Sequence, residues 1–160
     1  MTETPFSVNN ANGVAVRLLH AATKEMLTVR VSESDFASKT FPSWASGEDD
    51  ERNGMVTVGA DDDRHLRTTL GAAFTKDRVA VRVVIEGLYE VDENSSALTD
   101  GDRMYDRLPD YYRQALAQLA LDELYPYLRE AVQRASSIVY PIQPILLQPP
   151  GGSVRIPPPE

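Results

Sequence analysis

The sequence predicts an α+β fold in which a four-stranded antiparallel sheet is packed on one face by a long C-terminal helix. Two patterns carry this reading. Residues 64–75 and 79–91 are alternating apolar runs separated by little more than Thr75-Lys76-Asp77-Arg78, whereas a parallel link needs a crossover of a dozen or more residues. Residues 111–139 instead repeat their apolar positions at three and four, the period of an amphipathic helix. A chain of 160 residues is one domain's worth, so both patterns belong to a single core.

Taken in order, residues 1–13 are polar, with Asn9, Asn10 and Asn12 before Gly13, and read as a flexible leader. Val14, Val16 and Leu18 alternate, and Met26 to Val31 alternates again after the polar Thr23-Lys24-Glu25, so 14–31 reads as two strands joined by a short turn. Residues 32–54 form a long loop holding Phe36, Phe41, Trp44 and the acidic run Glu48-Asp49-Asp50-Glu51. A short strand over 55–60 precedes Asp61-Asp62-Asp63. In the hairpin, Leu66, Thr68, Leu70, Ala72 and Phe74 share one face, as do Val79, Val81, Val83, Ile85, Gly87, Tyr89 and Val91. The other face of the second strand, with Arg82, Glu86 and Glu90 beside Val84 and Leu88, is solvated for part of its length.

The helical region covers 110–139, and Pro126 inside it predicts either a kink near 121–125 or a short helix followed by a longer one. Residues 140–149 should be extended, and the Pro- and Gly-rich 150–160 disordered. An unbroken helix over 111–139 would be about 43 Å long, against a radius of gyration of about 15 Å for a compact chain of this size. Such a helix overhangs its sheet, and its apolar stripe then packs on a second copy as well. Leu116, Leu119, Tyr127, Leu128, Ala131, Val132 and Ala135 are the residues expected to serve helix packing and the oligomer interface.

Charge and composition narrow the function. Sixteen Lys and Arg against twenty-four Asp and Glu give a net charge of -8, which argues against nucleic acid or an anionic membrane surface as partner. There is no cysteine, so disulfides, thiolate nucleophiles and zinc-finger patterns are excluded together. The first thirty residues lack the order of a signal peptide and no apolar run is long enough to span a bilayer, so the expected location is cytoplasmic, with no membrane insertion. His20 and His65 are isolated in strand patterns, the two acidic runs read as solvated charge, and the glycines are too dispersed to cradle phosphate. No acid/base dyad is visible; the expectation is a protein that is not an enzyme and needs no metal or cofactor.

What stands out is apolar material where the chain can least bury it: Phe36, Phe41 and Trp44 in the loop, and Tyr140, Ile142, Ile145, Leu146 and Leu147 in a proline-punctuated segment. These residues either pack down as cover for the core or line a groove for unfolded or extended polypeptide.

The helix decides which family to compare. Leu124-Tyr125-Pro126-Tyr127-Leu128-Arg129-Glu130, continuing to Ser137 and followed by Tyr140-Pro141-Ile142-Gln143-Pro144-Ile145-Leu146-Leu147, resembles the SecB family of protein-export chaperones. The strand ending Ile85-Glu86-Gly87-Leu88-Tyr89 is similar to the family's glycine-aliphatic-aromatic strand end. The resemblance spans about 64–149 well and 14–60 weakly. It implies an ATP-independent holdase that keeps client polypeptides unfolded in apolar grooves, assembled as dimers or dimers of dimers, with an export motor or an antitoxin as further partner. It places Tyr140, Ile142, Ile145 and Leu147 beside the groove, with Leu88 from the strand motif; Phe36, Phe41 and Trp44 join them on composition. The sequence departs from the family at three places. Prolines 149, 150 and 157–159 forbid the second helix; Arg82 stands where an acidic motor-binding residue is expected; and the 32–54 loop is unusually aromatic and acidic. A specialised chaperone of a toxin-antitoxin system accommodates all three. A non-catalytic assembly subunit of the same fold is the other alternative.

Overall fold

A computed structural model describes residues 7–9, 14–45, 55–62, 64–92, 110–142 and 144–148. In chain order the elements are β1 (Ser7–Asn9), β2 (Val14–Arg30), α1 (Glu33–Ala37), β3 (Met55–Ala60), β4 (His65–Lys76), β5 (Val79–Val91) and α2 (Asp110–Val139). The strands form one antiparallel sheet ordered β1-β2-β5-β4-β3. Its four long members are the expected four-stranded sheet, and α2 covers one of its faces.

Three expectations are corrected. Residues 14–31 are not two strands with a turn: β2 is continuous, and its ladder with β5 runs from Val16 opposite Val91 to Arg30 opposite Val79. The polar Thr23-Lys24-Glu25 is absorbed as a register shift between Thr23 and Glu25, with another between Leu18 and His20. A bulge costs the ladder one residue, while a turn would leave most of β5 unpaired on that side. Within the expected leader, Ser7–Asn9 pairs with Val14–Val16 as β1, taking up hydrogen-bonding groups on the outer edge of β2. The long loop contains α1, whose cap is Ser32: its hydroxyl accepts from the Asp35 N–H at 3.0 Å and donates to the Asp35 carboxylate at 2.6 Å. The disordered tail expected at 150–160 lies outside the described residues.

α2 stays helical through Pro126. The ring removes the hydrogen bond to the Asp122 carbonyl, but Asp122 and Pro126 both lie on the exposed side of the helix, which does not split there into a short and a longer one. The β4–β5 link is tighter than the four residues that sequence alone sets aside: only Asp77 and Arg78 lie between the strands, and Asp77 takes a left-handed φ of 52°.

The two-residue period of β5 divides the sheet. Val79, Val81, Val83, Ile85, Gly87, Tyr89 and Val91 are buried, and the residues between them, Ala80 apart, are only half-buried. The buried set meets Leu66 and Leu70 from β4 and Leu116, Leu124, Leu128, Val132 and Ala135 from α2. The packing is tight at Gly87, where a Cβ would stand 2.8 Å from the Thr68 hydroxyl and 3.0 Å from Leu124. Toward the other end of the helix the Arg30 guanidinium lies over the Tyr140 ring, and Arg30 pairs with Val79. α2 reaches all five strands, β5 and β2 above all, so it lies across the sheet rather than over one strand. At about 45 Å it is matched by roughly 43 Å of β5. The strands, like the helix, are long for a chain whose compact radius of gyration is about 15 Å.

The contact at Gly87 yields a first prediction. Gly87→Ala should destabilise the chain by about 1–3 kcal/mol through overpacking. Urea unfolding should show a lower midpoint with an unchanged slope.

Candidate functional site

After α2 the chain turns at Pro141-Ile142 and comes back along the helix. Two side chains of α2 pin it. The Ser136 hydroxyl, fully buried, accepts from the Ile145 N–H at 2.8 Å, and the Tyr125 hydroxyl donates to the Gln148 carbonyl. Burial raises the Tyr125 pKa, with Arg129 opposing, so the hydroxyl remains a donor at neutral pH. From Ser136 to Tyr125 the order along the helix is reversed, so residues 144–148 run antiparallel to α2. In extended backbone successive side chains point to opposite sides. Ile145 and Leu147 are accordingly buried, while Leu146 is 56% exposed; Ile142, in the turn, is 85% exposed.

The predicted site residues therefore separate. Ile145 and Leu147 face the chain's own core. Tyr140 and Ile142 lie at the end of the molecule where the aromatic loop leaves β2: the Val31 N–H donates to the Arg78 carbonyl at 2.8 Å, and Phe36 and Phe41 follow, edge to face with ring centroids 6.4 Å apart. Phe36 is exposed, Phe41 and Trp44 half-buried. Leu88 is set apart from all of them, because Gly87 faces α2 and its neighbour must point to the opposite face of the sheet. Of the helix residues, Leu116, Leu128, Ala131, Val132 and Ala135 are buried within the chain itself, Leu119 is half-buried and Tyr127 exposed.

Leu146 and Ile138 both belong to apolar patterns of the sequence, but the exposure of only one of them was legible there. Leu146 was legible in the alternation of 145–147. Ile138, 66% exposed, was not: it stands seven residues after the buried Ala131 and so shares its helical phase, but it lies in the last turn, where the sheet ends.

The far face of the sheet carries a set of ion pairs beside the apolar Leu27, Val84 and Leu88. Arg17 bonds Glu90, its Nε at 3.0 Å; Glu86 takes Lys24 at 3.2 Å and Arg67 at 3.0 Å; Arg67 also holds Asp61 at 2.8 Å; Arg82 meets Glu25 at 2.9 Å. The hydrogen bond from Lys24, then that from Arg67, holds Glu86 below the usual carboxylate range. Asp62 is lowered by the Arg64 backbone N–H and by His65, whose Nδ1 lies 2.8 Å from its carboxylate. On the buried side, burial and then the Glu123 carboxylate push the Tyr89 hydroxyl well above tyrosine's usual range. Among the described residues no group of three His, Asp or Glu side chains is arranged to hold a metal ion, and no helix is long and apolar enough to cross a membrane.

No family model and no curated protein matches the chain. Solved structures do. A SecB-like chaperone from Mycobacterium tuberculosis, in complex with a ChAD peptide from an antitoxin, superposes with a TM-score of 0.57 at 12% identity, over 85% of this chain and 88% of that one. A protein of unknown function from Streptococcus agalactiae superposes with a TM-score of 0.58 at 11% identity, over 84% and 98%. The chain has the SecB-like fold. Its kinship with such chaperones is one of architecture: an antiparallel sheet with a long C-terminal helix on one face.

Two outcomes follow from these contacts. Ser136→Ala should cost about 1–3 kcal/mol, because it leaves the buried Ile145 N–H without an acceptor. Hydrogen exchange should then show the Ile145 amide losing protection before the amides of β5 do. For Glu86, a folded-state pKa below the unfolded one gives stability that is present above the unfolded value and lost as pH falls through the folded one. Wild type should therefore lose more stability than Glu86→Gln on titration from neutral pH to below the carboxylate range, as read by urea midpoints.

Proposed function

We propose that this chain is a non-catalytic, ATP-independent chaperone that binds an extended apolar segment of one dedicated client in the cytoplasm. The observation that supports it is the exposed apolar material at the end of α2 and beyond: Ile138, Ile142 and Leu146, each more than half exposed beside a segment that is otherwise pinned to the helix. Exposed apolar side chains at neighbouring positions are a common mark of an interaction surface. The peptide-bound chaperone of the same fold makes an extended polypeptide the natural occupant, and its antitoxin peptide favours a dedicated client over general export. The paired far face favours the same choice: Arg82 is engaged by Glu25, and Glu86 by Lys24 and Arg67, which leaves little unmatched acidic charge for a motor.

Self-association is part of this reading, on a different surface from the one helix length suggests. Most of the helix stripe is taken up by the chain's own core, with Tyr127 and Ile138 exposed. The outer edge of β2 from Arg17 to Arg30 has no strand beside it among the described residues, and a second copy would supply one. Light scattering should then give a mass at least twice 17.7 kDa.

Binding is tested with a reduced, unfolded protein whose aggregation is followed by turbidity. The wild-type chain should slow aggregation at near-stoichiometric amounts without nucleotide, and Ile142→Asp/Leu146→Asp should lose most of that effect while its urea midpoint stays within about 0.5 kcal/mol of wild type, as exposed substitutions do. Undiminished protection by the double variant would place binding elsewhere.

A further inference from the structure

At one end of the sheet three cations, Arg30, Lys76 and Arg78, stand outside the ion pairs among the described residues. Arg17, Lys24, Arg67 and Arg82 each meet a carboxylate. Arg30 and Arg78 meet none among the described residues. Arg30 holds its guanidinium 5.8 Å from the centre of the Tyr140 ring, and Arg78 donates from Nε to the Val31 carbonyl at 3.0 Å. They stand side by side because Arg30 pairs with Val79 at the end of the β2–β5 ladder and Arg78 precedes Val79 in the turn. In a chain of net charge -8, leaving two adjacent cations without an acid needs a reason.

Between them is a recess of about 80 Å³ lined by Arg30, Asp77, Arg78, Val79 and Tyr140. Sites for whole small molecules run to about 300–1,000 Å³, so this one is far too small for a free metabolite. At about 30 Å³ per water it has room for two or three waters, the size of one functional group. Its lining selects which. Two guanidinium forks and a phenol supply donors, Val79 supplies an apolar floor, and the single acid, Asp77, is exposed and leaves the charge at a net positive. A planar carboxylate matches a guanidinium fork with two parallel hydrogen bonds. The Nε contact to Val31 fixes one fork, and the Tyr140 ring steadies the other.

We propose that this recess is a carboxylate subsite of the client-binding surface, taking an acidic side chain or the C-terminal carboxylate of the bound polypeptide. The proposal rests on the polypeptide-binding reading and adds an orientation to it. Tyr140 lines the recess, and the exposed Ile142 and Leu146 follow it in the chain. A bound segment is anchored by its acid at the Arg30–Arg78 end and lays apolar side chains beyond. Apolar contact alone holds many sequences; an acid at a set place discriminates among them.

The test uses the full chain and fluorescence anisotropy of a labelled apolar peptide in three forms: without acid and with an amidated end, with one acidic side chain and an amidated end, and with a free C-terminal carboxylate only. One acid-bearing form should bind wild type about tenfold more tightly than the acid-free form, and which one does so tells side chain from terminus. Arg30→Gln/Arg78→Gln should abolish that advantage and leave the acid-free peptide's affinity unchanged. Since Arg78 also holds the Val31 carbonyl, Arg30→Gln alone, which removes no hydrogen bond, should reduce the advantage about threefold at an unchanged urea midpoint. Equal binding of all three peptides to wild type, or equal weakening of all three by Arg30→Gln, overturns the subsite and leaves the surface standing. Failure of every peptide to bind overturns the surface and the subsite with it.

Discussion

Packing of α2 on the apolar face of the sheet, with Leu124 fitted against the side-chain-free Gly87, is the interaction on which the rest of the structure depends. Gly87 is the one position on the buried side of β5 without a side chain, and it lies under the middle of α2, between Thr68 and Leu124. The helix can settle there, and its stripe of Leu116, Ala120, Leu124, Leu128, Val132 and Ala135 closes over Val81, Val83 and Ile85. Because α2 lies across the sheet and reaches every strand, one helix closes over the sheet's apolar core. What remains for partners is what that arrangement leaves over: the last helical turn, the returning segment, the free edge of β2 and the charged far face.

Those remainders differ in chemistry. The far face carries its own ion pairs, individually weak because they are exposed, but arranged so that few charges are left unmatched. The end of the molecule near Tyr140 is the opposite case. It combines exposed Ile138 and Ile142, the exposed ring of Phe36 nearby on the loop, and two arginines without acids. A surface with apolar reach and a net positive recess is suited to a particular extended segment, whereas a general holdase gains by avoiding such discrimination.

Much of the architecture was legible because long alternations and a sustained helical period are strong signals. The hairpin of β4 and β5, the short β3 and the whole of α2 follow from the spacing of Leu66 to Phe74, Val79 to Val91 and Leu116 to Val139. The errors arose where a local signal was outweighed by distant pairing. Thr23-Lys24-Glu25 looks like a turn but has thirteen residues of β5 to pair against, and of the two outcomes expected at Pro126 the split into two helices does not occur. The candidate surface was only half legible. Sequence marks Tyr140 to Leu147 as misplaced apolar material, yet the division into a buried Ile145 and Leu147 and an open Ile142 and Leu146 needs Ser136 and Tyr125, whose hydroxyls carry no pattern of their own. The removal of Leu88 to the other face, by contrast, follows from counting one residue past Gly87.

The central claim is that polypeptide lies along the open side of the segment after α2, with its inner side part of the core. Photo-crosslinking tests this directly. With a photoreactive residue in place of Ile142, illumination in the presence of an unfolded client should join the two chains, and the same residue in place of Leu88 on the far face should join little or none. Crosslinks from position 88 with none from position 142 would contradict the account.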